Sequence, residues 1–123
     1  MNQPQGSDAV SFGLDNNVHP IAYQMIDGQP VMTGHIRSVA LAPYLFDDSP
    51  VFWVVTGDGL IPTHPWEAFA VALVPGYLPV GVMIGASPTE QGARSGMEQA
   101  GPVEWIAVDD NTMPRLMAQL GVN

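Results

Sequence analysis

Five apolar residues in unbroken succession, Val51-Phe52-Trp53-Val54-Val55, constrain this chain more than any other feature. The run is short, β-branched and aromatic. It is bounded by Asp47-Asp48-Ser49-Pro50 on one side and Gly57-Asp58-Gly59 on the other. A strand with no polar side has to be buried on both faces. It therefore belongs at the centre of a sheet, and the rest of the chain must cover it.

Other segments supply the neighbours. Ile21 to Ile26 meets Asp27-Gly28 and an apolar stretch resumes at Val31, which reads as a hairpin. The second arm, 31–42, is less clean: Met32, Ile36, Val39 and Ala40 also fit a helical stripe, and Pro43 closes either option. Residues 66–74 stay open in the same way. Phe69, Val71 and Leu73 alternate with Ala68, Ala70 and Ala72, a strand with one bulky and one flat face, while alanines behind Pro65 suit a helix. Val74-Pro75-Gly76-Tyr77 is a turn in both cases, and Val80 to Ile84 a strand. Ser87-Pro88-Thr89-Glu90 carries the signals of a helix start and predicts a helix over about 88–99. Val103 to Val108 then reads as a strand, and Asp109-Asp110-Asn111-Thr112 opens a last helix over about 111–120.

This order predicts an α+β domain: a single mixed, mainly antiparallel sheet of five or six strands, with the two C-terminal helices on one face. Residues 1–18 are expected as a flexible or loop-like arm and 19–123 as one domain.

Charge narrows the partners. The chain has no lysine; Arg37, Arg94 and Arg115 stand against twelve acids, for a net charge of −9. That excludes nucleic-acid or membrane binding through a basic patch, because each phosphate contact wants a cation. Charged residues make up 12%, about half the usual share, so the acidity comes from missing bases. A low-charge, apolar chain is expected to self-associate, a homodimer being the commonest outcome. With no cysteine, disulfides, thiolate metal sites and cysteine nucleophiles are excluded. No apolar run reaches a bilayer span of ~18 residues and the first residues lack a signal-peptide pattern, so a cytoplasmic protein is expected.

Candidate chemistry concentrates after the central strand. Between Thr56 and Glu67, Asp58 could orient His64 as a general base, with Glu67 close by. The plainer reading is a tight Gly-Asp-Gly turn with His64 as a cap. His19, His35 and His64 match no metal-binding spacing, so neither metal nor cofactor is expected. Trp53, Trp66 and Met83 could line a ligand pocket. Arg94 could hold an anion or simply pair with Glu90 or Glu98, four positions away on either side. Tyr44, Phe46, Asp47 and Asp48, aromatics ending in paired acids, form the expected partner-facing patch.

Gln91-Gly92-Ala93-Arg94-Ser95-Gly96, followed by Trp105-Ile106-Ala107-Val108 and Asn111, resembles the back half of the GNAT-type acetyltransferases. The resemblance spans about 40 residues and implies a turn that opens a helix receiving the cofactor pyrophosphate. Arg94 stands where that family has glycine, and only six residues separate Gly96 from Val103, too few for the family's long helix.

Together these features favour a noncatalytic acidic interaction protein, inhibitor- or immunity-like toward a basic partner. The alternative is a small enzyme or small-molecule-binding protein with its site around Asp58, His64 and Glu67.

Overall fold

The central run lies within a nine-residue strand of a sheet that closes on itself. In the computed structural model, which describes residues 9–109 and 111–119, the order is β1 (Ala9–Leu14), β2 (Pro20–Ile26), β3 (Gln29–Phe46), β4 (Ser49–Gly57), β5 (Trp66–Ala72), β6 (Gly81–Ser87), α1 (Glu90–Glu98), β7 (Ile106–Ala107) and α2 (Met113–Gln119). Strands β1 to β6 pair in succession, all antiparallel. β6 returns to β1 through Ala9↔Val82 and Val10↔Gly81, which makes an up-and-down barrel. β7 adds to β3 at Ser38 and Val39.

An open sheet with two helices on one face is thus not what forms. Closure needs bent strands, and register shifts supply them at Ala22/Tyr23, Ile36/Ser38, Leu41/Leu45 and Ala68/Phe69. Pro43 sits inside the Leu41–Leu45 irregularity, where no ladder hydrogen bond is required of it. For that reason β3 runs on through the proline expected to end it.

Alternation divides the side chains. Val10, Phe12, Ala22, Ile36, Val54, Phe69 and Val71 form one buried cluster, the barrel interior. Gly81 faces it too: a Cβ there would come within 2.7 Å of the Phe12 ring. The opposite parity of β4 and β5, with Val51, Trp53, Val55 and Ala68, packs outward against Ala93 and Met97 of α1. The flat alanine face of β5 is what lets a helix lie close. Residues 31–42 therefore lie within β3, and 66–72 form β5.

Further differences follow from what can be buried. Residues 9–14, inside the segment read as an arm, form β1 because Val10 and Phe12 alternate into the barrel; residues 1–8 lie outside the described residues. α1 is capped by Thr89, whose Oγ1 accepts from Gly92 N at 3.0 Å, while the Ser87 hydroxyl accepts from Thr89 N. The strand expected over 103–108 shrinks to two residues, since Val103 and Trp105 pack on the outer cluster. The expected pair of covering helices does not form. α1 buries Ala93 and Met97, and α2 is a seven-residue segment. Leu120, the expected end of the last helix, lies outside the described residues.

The acetyltransferase-like segment is also placed differently. Gln91 to Gly96 lies within α1 rather than in a turn before it, and β7 pairs antiparallel with β3. Among the described residues no helix is long and apolar enough to cross a membrane.

Candidate functional site

Two places on the outer surface gather chemistry-bearing side chains. The first lies where β3 changes partners. His35 is the β3 residue at which the pairings with β2 and β4 overlap, through Ile21 of β2 and Gly57 of β4. The β1–β2 turn and the loop after β4 therefore emerge on either side of its ring.

In the turn, Asp15 Oδ1 accepts from the backbone N–H groups of Asn17 and His19, each at 2.9 Å. Val18 is held at φ 63°, unusual for a β-branched residue. Asp15 Oδ2 is left facing two imidazoles: His19 Nδ1 at 3.6 Å and His35 Nε2 at 3.5 Å. On the far side of the His35 ring, Nδ1 lies 3.3 Å from Asp58 Oδ2. That contact is close enough for an ion pair but off the angle of a hydrogen bond, so the buried nitrogen has no hydrogen-bond partner. Asp58, itself at φ 59°, accepts from Arg37 at 2.7 Å. The hydrogen bond from the His19 backbone, more than any other contact, holds the Asp15 carboxyl below the usual carboxylate range. A cleft of about 290 Å³ opens beside the cluster, lined by Asn17, His19, His35, Arg37 and Asp109.

The second place is apolar. α1 covers the outer face of the sheet at Trp53, Val55 and Ala68, but the same face continues uncovered past Ala70 and Ala72. There, between the β3–β4 hairpin and the turn after β5, runs a groove of about 570 Å³. Phe46, Tyr77, Leu78, Val82 and Ile84 line it, and each is at least half exposed.

The sequence-predicted residues fall into separate surroundings. Asp58 belongs to the His35 cluster, while His64 is exposed and contacts the Thr63 hydroxyl at 3.0 Å. Glu67 points into the barrel beside Thr56, 5% exposed; its Oε1 has no hydrogen-bond partner, and burial pushes its carboxyl up from the usual value. No hydrogen bond or ion pair joins the three among the described residues. Trp53 and Trp66 belong to the outer cluster whereas Met83 packs on the barrel interior, so a pocket shared by all three does not form. Trp53 Nε1 donates instead to Tyr44 Oη at 3.0 Å. Arg94 donates to Glu90 at 2.9 Å and lies over the Trp105 ring, 5.3 Å from its centre. Tyr44 and Phe46 flank the groove, and Asp47 and Asp48 form the hairpin turn at φ 53° and 65°.

Linear spacing concealed the first cluster, since His19 and His35 fit no ligand pattern. The hairpin signal could have found it. Counting outward from the Asp27-Gly28 turn puts Pro20, next to His19, opposite His35, and the register shift at Ala22/Tyr23 moves that pairing to Ile21. Asp15 carried no comparable signal, because only the fold of its turn aims it at the rings.

Compared with models of known protein families, with characterised proteins and with solved structures, the chain matches none of them.

Proposed function

We propose that this protein is a noncatalytic binding module that docks a basic partner protein on the groove beside the β3–β4 hairpin. The observation that carries the reading is the uncovered continuation of the outer sheet face, where Phe46, Tyr77, Leu78, Val82 and Ile84 line one concavity. Contiguous exposed apolar surface of this kind marks interaction sites, whereas scattered apolar residues do not. The acids Asp47 and Asp48 follow Phe46 in the hairpin turn, on a chain of net charge −9. Two copies would repel each other, and a cationic partner would be drawn in faster at low salt.

A photo-crosslinking residue in place of Leu78, 82% exposed at the groove, tests this directly in native lysate. The expected product is a crosslink to a basic protein, formed at low salt, diminished at high salt and lost in Phe46→Ser. Crosslinks only between copies of this chain, strengthening with salt, would replace the reading with a homodimer. No crosslink at either salt would remove it.

A further inference from the structure

We infer that Asp15, His19 and His35 form a binding site for a divalent transition-metal ion of the zinc type. The inference does not depend on the docking groove, which is built from other residues.

Geometry carries it first. One carboxylate oxygen and two imidazole nitrogens converge, every donor atom within 4.8 Å of the others. The two separations from Asp15 Oδ2, 3.6 and 3.5 Å, exceed an ordinary N–H···O hydrogen bond. They are close to the spacing of ligands on a shared tetrahedral ion, about 3.3–3.4 Å for bonds of about 2.0–2.1 Å. A cation between the three donor atoms would take a bond from each of them.

The surroundings orient each ligand. Asp15 Oδ1 is tied to two backbone N–H groups, which leaves Oδ2 for the ion. The Nδ1 of His35 faces Asp58, and Asp58 is held by Arg37. A carboxylate behind the non-ligating nitrogen is the arrangement that fixes the tautomer of metal-bound histidine and raises its basicity. Binding at Nε2 would fix the His35 proton on Nδ1 and draw its near contact with Asp58 into a hydrogen bond.

Donor type selects the ion. Two imidazoles and a carboxylate suit zinc and its first-row neighbours, whereas calcium and magnesium favour oxygen ligands. Three protein ligands leave a fourth tetrahedral position, and the adjoining cleft offers it to water or a small anionic ligand.

Calorimetric titration of the tag-free, full-length chain with Zn²⁺ tests the site. One ion per chain is expected, with binding abolished in His19→Ala and in Asp15→Asn. The His19 side chain is 63% exposed, and asparagine keeps the Asp15 turn acceptor, so both variants should hold the fold, which circular dichroism checks. Asp58→Asn should weaken binding by about tenfold or more, and His64→Ala should leave it unchanged. Absence of zinc uptake, or uptake that His19→Ala does not alter, overturns the inference.

Discussion

The two sides of β5 carry different fates for similar residues. Phe69 and Val71 point into a barrel that closes around them and are fully buried. On the outward side, Ala68 lies under α1, while Ala70 and Ala72 floor the open groove. Phe46, as large as Phe69, remains 61% exposed at that groove while Phe69 is 0% exposed. The difference teaches where stability and function separate. The interior fills a space nothing else can enter, whereas the outer face is finished by one short helix and then left available.

Truncation of the two phenylalanines probes that contrast most strongly. Phe69→Ala is expected to cost about 3–5 kcal/mol in urea unfolding, from lost transfer energy and the cavity left behind. Phe46→Ala should fall within about 0.5 kcal/mol of the parent protein, because little of its surface is buried. A large loss from Phe46→Ala would mean that the groove is a structural element rather than an open face.

Glu67 sharpens the picture of the interior, as a buried carboxyl beside Thr56. Burial raises its pKa above the ordinary 4.5, so the folded chain holds this proton where the unfolded chain has released it. Its contribution to stability therefore falls as pH rises from about 4.5 and levels off above the folded pKa. Glu67→Gln should flatten that decline and leave the protein more stable than the parent at neutral pH. Urea midpoints measured from pH 4 to 8 decide it, and a parallel pH dependence in both proteins would show that Glu67 gains compensation when ionised.

The smallest effect is expected outside. The Arg37–Asp58 pair, 2.7 Å long, joins side chains 48% and 59% exposed. A double-mutant cycle with Arg37→Gln and Asp58→Asn should give a coupling of about 0.2–1 kcal/mol, shrinking as salt is added. Coupling that persists at high salt would show that the His35 cluster screens this pair from solvent.

Legibility followed the range over which each feature is encoded. Val51 to Val55 announces a central strand through composition alone, and Asp27-Gly28 announces its hairpin because a two-residue turn needs residues that accept φ above zero, here 53° and 80°. A helix after Ser87-Pro88 was readable from capping chemistry, but its cap is Thr89 rather than Ser87 and it opens at Glu90. Pro43 misled, since a proline ends a strand only where its missing N–H is needed, and that need depends on the partner's register.

By itself, then, the sequence determined the strand run, the turn positions, the missing cations and the absence of thiols, all of which reside in neighbouring residues. Barrel closure, the division of β5 between an interior and a groove, and the meeting of Asp15, His19, His35 and Asp58 were decided by tertiary structure. The physical reason is register. Closure sums small shifts over all the strands, and His35 meets its neighbours only because β2 and β4 both pair with it. No local window of the chain contains that sum.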